Sequence, residues 1–215
     1  MPELVQIENV GDAGPISIAL GDLRLVSMID SALADSARRS GEWLVCRPGC
    51  MQCCVGAFAI SQLDARRLRE GMTALAESDP ERAARVQWRA KDYIERLGTG
   101  YPGDPVGGML DETREAELQF EAFANDEVCP ALDPDTGTCD LYAARPMTCR
   151  AFGPPIRSEE GLGVCELCFH GATDEEIAAC EMEVDPDGLE EELLQRIKTE
   201  SGVTGQTIVA FCLVD

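Results

Sequence analysis

Cys46-Arg-Pro-Gly-Cys50-Met-Gln-Cys53-Cys54 puts four thiols within nine residues. A chain punctuated this tightly can turn around one ion without ordering a long loop, because closure entropy grows with loop length. Cys129, Cys139 and Cys149 follow at intervals of ten, and Cys165-Glu-Leu-Cys168 adds a CxxC pair. Thiolates are soft ligands, so the set suits zinc, iron–sulfur or copper(I) rather than hard ions. Cys₄ coordination serves a structural zinc or a [4Fe–4S] cluster equally well. The broad loops and the Cys53-Cys54 doublet are unlike a zinc finger or ribbon, and they tilt the expectation towards iron–sulfur. Adjacent side chains do not easily point at one place, so Cys53 and Cys54 are read as serving different roles or different ions. Cys180, on a helical stretch, and Cys212, in an apolar run, are read as core.

Arg145 and Arg150 flank Cys149 and have two readings. Either they offset the negative charge of a four-thiolate site and donate hydrogen bonds to sulfur, or they form an anion site for a carboxylate or phosphate. Tyr142 is expected to pack its ring in the core and to hydrogen-bond through its hydroxyl. His170 is the chain's single histidine, and as Cys168-x-His170 it is a secondary ligand candidate. No GxSxG, GxGxxG or GxxxxGK[ST] occurs, so no nucleophile elbow, dinucleotide fingerprint or P-loop is present. No catalytic residue is assigned, and whether the chain is an enzyme stays open.

The two cysteine blocks together resemble a known family. Cys50-Met-Gln-Cys53-Cys54, with Cys46 upstream, is similar to the CxxCxxCC motif of the YkgJ-like cysteine-cluster proteins, described as zinc- or iron-chelating domains. The gap from Cys46 to Cys50 holds three residues where the motif has two. The second block, Cys129-Pro-Ala-Leu132 and then Cys139-Asp-Leu-Tyr142-Ala-Ala-Arg145-Pro146-Met-Thr-Cys149-Arg150, resembles that family's Cys-Pro-x-Leu and Cys-x-x-Tyr-x-x-Arg-Pro-x-x-Cys-Arg elements. The likeness covers residues 46–170 and implies metal binding. Some relatives resemble the flagellin lysine N-methylases, which extends the implication to a metal-dependent group-transfer or redox enzyme.

Charge narrows the partners. Lys+Arg is 18 and Asp+Glu is 40 in 215 residues, a net charge of −22. Most of the excess lies after residue 110. Duplex nucleic acid and anionic membranes both need a cationic face, so neither is an expected partner. A solvated, repelling surface accounts for the charge; the sharper reading is a face for a basic protein partner, as a metal carrier would use. Met1–Val10 has neither a basic n-region nor an apolar h-region, and no run of about 18 apolar residues occurs. A cytoplasmic location is therefore expected, where thiols stay reduced and serve metal or chemistry rather than disulfides.

Hydropathy and punctuation then give the elements that must position these thiols. Ile16, Ile18 and Leu20 alternate before Gly21-Asp22, and Leu23 and Leu25 resume the alternation, which predicts a hairpin. Helical spacing follows over 27–40. A helix is predicted from a Ser61-to-Asp64 capping box, another from Pro80 to Leu97, and a third over 111–125. Gly98–Gly108 reads as a loop. Thr173-Asp-Glu-Glu176 opens a further helix and Leu189–Thr199 another. Thr207–Val214 reads as a strand pairing with the N-terminal hairpin. The expected fold is mainly α with a small β element (α+β), an irregular cysteine-rich layer being packed on the helices. The expected organisation is a single domain over 1–215. Its parts are an N-terminal hairpin and helix over 1–45, a cysteine-cluster region with inserted helices over 46–170, and C-terminal helices with a strand over 171–215.

Overall fold

Ser17 opens the chain's first helix, not a hairpin. Its side chain accepts from the Leu20 amide at 3.3 Å, and α1 runs Ile18–Ser40. The computed structural model describes residues 16–47, 49–158 and 161–214; the leader reading rests on residues outside these. The predicted 16–25 hairpin fails because the buried positions, Ile18, Gly21, Asp22, Leu25 and Ile29, keep helical spacing, whereas Leu20 and Leu23 are exposed. Gly21 is not a turn residue. It lets α1 approach the last helix, where a Cβ would lie 2.5 Å from a Leu193 methyl.

The remaining helices lie close to their expected positions. Ser61 caps α2 (Gln62–Ser78), and Asp79 caps α3 (Pro80–Leu97), with proline in the first turn. The third expected helix shortens to α4 (Arg114–Glu121), capped by Thr113. The five-residue α5 (Met147–Ala151) carries Cys149. Thr173 and Glu176 form the expected reciprocal capping box on α6 (Asp174–Ala179), and α7 runs Leu189–Ser201.

The strands are short antiparallel pairs: β1 (Ala59–Ile60) with β6 (Thr207–Ile208), β2 (Leu132–Asp133) with β3 (Thr138–Cys139), and β4 (Ile156–Ser158) with β5 (Gly161–Gly163). The C-terminal strand is thus two residues long and turns into a 3₁₀ helix over Val209–Cys212. It pairs with the stretch after the first cysteine block; Ile18–Ser40, being helical, offers no strand edge.

The fold is mainly α with a small β element. One core gathers Leu68, Met72, Val86 and Ala90 of α2 and α3 around Ala131, Leu141 and Ala144 of the cysteine-bearing layer. A second packs Leu25, Ile29, Leu193 and Ile197 of α1 and α7 against Met147 and Ala151 of α5. Cys180 and Cys212 are both buried, as expected of core residues.

Gly71 lets α2 pack closely on the cysteine layer: a Cβ there would lie 2.5 Å from the Ala144 Cβ. Alanine gains up to about 1 kcal/mol over glycine inside a helix, but overpacking costs about 1–3 kcal/mol. Gly71→Ala should therefore lower the melting temperature by a few degrees, at ~2–4 °C per kcal/mol for a chain of this size. A raised melting temperature would show that the 142–144 turn yields freely.

Candidate metal centre

The two sequence-distant cysteine blocks are stitched together by backbone. Val55 and Val128 form an antiparallel bridge, the Cys129 amide donates to the Cys54 carbonyl at 2.8 Å, and the Gly56 amide donates to Glu127 at 2.8 Å. Cys129 then begins a turn closed by the Leu132 amide at 3.0 Å, and the β2–β3 pairing sets Leu132 opposite Cys139. Asp140, next to Cys139, takes Arg82 and Arg89 of α3 at 2.5 Å each, while Arg89 also donates to the Pro130 carbonyl. These anchors fix Cys129 and Cys139 to α3 and leave Cys53 and Cys54 beside them.

Cys149 is placed by charge. Arg67 of α2 is buried and bonds Asp22 of α1 at 2.5 Å and Asp64 of its own helix at 2.6 Å. Asp64 also accepts the Met147 amide at 3.0 Å, and Arg67 reaches the Arg145 carbonyl at 3.4 Å. The Arg145-Pro-Met147 step is thereby held to two helices. The sequence reading gave Asp22 to a turn and Asp64 to a capping box. The Ser61 half of that box exists, but the Asp64 carboxylate is spent on Arg67 and Met147 instead.

The third group of anchors belongs to Cys46, Cys165 and Cys168. The Phe169 amide donates to the Trp43 carbonyl at 2.9 Å, and Gln52 reaches Glu166 at 2.6 Å. Gly153 has φ +119°, and a Cβ there would lie 2.7 Å from the Cys46 sulfur. Its carbonyl accepts from the Cys165 amide.

All eleven cysteines are free thiols; Cys165 and Cys168 are buried, Cys46 is exposed, and the rest of the nine are half-buried. Eight of the nine, all but Cys168, line one cavity of about 670 Å³ together with Tyr93, Tyr142 and Arg145. Burial pushes the Cys129 thiol up to about 12, and the neighbouring charges of Cys139 and Cys53 add to it. Cys149 is raised by burial and by Cys129, Cys53 and Cys139. The neighbouring Cys54 thiol, aided by Arg145, brings Cys53 down to about 6, while Cys53 and burial hold Cys54 up. Cys46 rises to about 12 because its sulfur is desolvated, with Cys168, Cys50 and Cys165 adding repulsion.

Opposing this, backbone amides aim at sulfur: those of Ala131 and Leu132 at Cys129, Leu141 at Cys139, and Leu167 at Cys165. Amide donors two or three residues after a cysteine favour its thiolate form, the form that binds metal. Among the described residues, no three Cys, His, Asp or Glu side chains converge tightly enough, in the conformation described, to coordinate one ion. The donor chemistry nevertheless fits a thiolate-bound metal, with thiols drawn together and amides aimed at them.

The two arginines separate. The Arg145 guanidinium lies over the Tyr142 ring at 3.8 Å, and its Nε is buried without a hydrogen-bond partner. Its charge acts on Cys53 and Cys139. Arg150 is outside the cavity lining. It is buried and bonds Asp30 of α1 at 2.8 Å and the carbonyls of Ala143 and Arg145. Tyr142 does not pack in the core: it is 64% exposed and serves as the platform under Arg145. His170 is exposed.

A family model described as "Putative zinc- or iron-chelating domain", CxxCxxCC, matches residues 45–169, which is more than half the chain and spans every one of the nine thiols. The chain belongs to the CxxCxxCC family. No curated protein and no solved structure matches it. The family's described role, chelation of zinc or iron, accords with a cavity lined by thiols and supports metal binding by this chain.

Arg67 carries no motif signal, yet it joins α1, α2 and α5 around the cavity. Arg67→Ala leaves Asp22 and Asp64 buried without a counter-charge, which costs about 3–5 kcal/mol. The expected result is a large fall in unfolding midpoint in denaturant. A change under about 1 kcal/mol, the scale of a surface pair, would remove Arg67 from this role.

Proposed function

We propose that this is a cytoplasmic protein of one domain that holds an iron–sulfur cluster or zinc through Cys46, Cys50, Cys53, Cys54, Cys129, Cys139, Cys149, Cys165 and Cys168. The observation that carries the reading is the single cavity that eight of these thiols line, although they come from stretches far apart in the chain. Iron–sulfur is favoured slightly, because the thiols surround a space wider than a single ion needs. Arg145 sits where it offsets thiolate charge and offers a free N–H to sulfur. Arg150 supports that position from behind, through Asp30 and the 143–145 carbonyls. Bound metal closes the 128–170 layer, whose own strands and helices are too short to make a core.

A second reading, a metal-dependent group-transfer or redox enzyme, is favoured by one feature. The same cavity is lined by apolar Leu33, Phe58, Leu68 and Phe152 as well as by thiols and Arg145, and is large enough to admit a small molecule. Metal bound there would supply Lewis-acid or electron-transfer chemistry; the chain's own residues would bind and orient a substrate, with Arg145 taking its anionic group.

Anaerobically purified protein should carry zinc or iron, with acid-labile sulfide if the centre is iron–sulfur. Chelation should expose residues 128–170 to protease before α2 and α3, since structural zinc contributes about 10–16 kcal/mol of apparent free energy at pH 7 in small peptides. Metal-free protein in which this layer resists protease as the loaded protein does would contradict the reading.

A further inference from the structure

The name-giving motif, Cys50-Met-Gln-Cys53-Cys54, looks like one ligand set, yet its two halves are tied to different partners. Cys50 closes a turn on Arg47 at 2.9 Å; Gln52, which opens the 3₁₀ turn of Cys53 and Cys54, reaches Glu166 and so bridges the halves instead of dividing them. Gly153 meets the Cys46 sulfur on one side and the Cys165 amide on the other. Trp43 and Phe169 join the chain just before Cys46 to the residue after Cys168. Cys165 and Cys168 are packed with Trp43, Leu44 and Phe152 in a small apolar cluster of their own. The segments that carry Cys46, Cys165 and Cys168 are thus joined through Trp43, Gly153 and Phe169, with Cys50 one turn after Cys46.

The 53–54 half is tied elsewhere. Its carbonyl at Cys54 holds the Cys129 amide, Cys139 stands across from Leu132, and Cys129 and Cys139 pack on the α2–α3 core. Cys149 joins them from α5, which the Asp64 carboxylate holds by its Met147 amide. The thiols whose charge acts on each sulfur divide in the same way: Cys168, Cys50 and Cys165 on Cys46, and Cys53, Cys129 and Cys139 on Cys54.

On the reading that these cysteines hold metal, we propose that they form two separate centres. One is built from Cys46, Cys50, Cys165 and Cys168, and the other from Cys53, Cys54, Cys129, Cys139 and Cys149. The boundary falls inside the Cys50-to-Cys54 motif. The first has the four thiolates of a closed tetrahedral site. The second has one thiol more than such a site uses and has Arg145 over it, so it is the centre with a ligand to spare and a cation facing the cavity. The three-residue gap after Cys46 then concerns only the first centre.

The test is metal and acid-labile sulfide per chain in anaerobically purified full-length protein, for the parent and two double variants. Cys165→Ser/Cys168→Ser should lose one centre's metal and keep the other's, and Cys129→Ser/Cys139→Ser should do the converse. Gly153→Ala adds a check that keeps every cysteine in the chain. The added methyl crowds Cys46, so zinc or iron should leave the first centre faster on challenge with EDTA, while release from the second keeps the parent's rate. If either double variant loses all metal while the parent is loaded and the Gly153→Ala protein releases its metal in one phase, the cysteines form one centre and the partition is overturned. If the parent carries no metal and takes up neither zinc nor iron, the underlying reading falls with it.

Discussion

Arg67 is the interaction on which the cysteine layer most depends. The layer's strands are two or three residues long and its one helix has five residues, so nothing local fixes where Cys149 or Arg145 stands. A buried guanidinium between Asp22 and Asp64 does so by making α1, α2 and α5 share one set of charges. The arrangement is costly to break from one side, because the partner left behind is a buried carboxylate. It also passes the position of α1 to the site: Asp30, two turns further along α1, takes Arg150, and Arg150 holds the carbonyls of the turn that carries Tyr142 and Arg145. The helices therefore do not merely support the thiols. They set, through three carboxylates and two arginines, the angle from which the last block meets the first.

The thiols bring an opposing problem. Buried sulfur resists ionisation, and each thiolate formed makes the next harder to form. Amides aimed at Cys129, Cys139 and Cys165, and the charge of Arg145 beside Cys53 and Cys139, relieve part of that cost without changing the fold. On the proposed reading, bound metal would relieve the rest by supplying positive charge to the cavity that the sulfurs line. Protein and metal are thus complementary in charge.

The thiols that line the cavity were legible in the sequence as residue types, and most helices as capping and spacing signals; the joins between elements were not. Cysteine spacing and the Arg-Pro-x-x-Cys-Arg pattern identify the gathered residues because ligand chemistry leaves its mark in residue type. Pro80, Ser61 and the Thr173-to-Glu176 box marked helix starts because capping is local. The 16–25 segment misled because alternating apolar residues beside Gly-Asp satisfy a strand pattern, while the use of Gly21 is a close approach to Leu193, 172 residues away. Asp22, Asp64 and Arg67 carried no signal for a similar reason: a buried ionic join is made by three ordinary residues whose meaning exists only once the helices meet. Tyr142 sits in a recognisable motif, but only the stacked Arg145 shows that its ring is a platform rather than core.

The most direct measurement is X-ray absorption at the metal edge of the loaded protein, which reads the ligand atoms themselves. All-cysteine binding predicts a nearest shell of sulfur only, with about four neighbours per metal at ~2.3 Å if the metal is zinc. A nearest shell dominated by nitrogen or oxygen at ~2.0–2.2 Å would contradict it, because it would place the metal on His170 or the surface carboxylates and leave the gathered thiols without a ligand role.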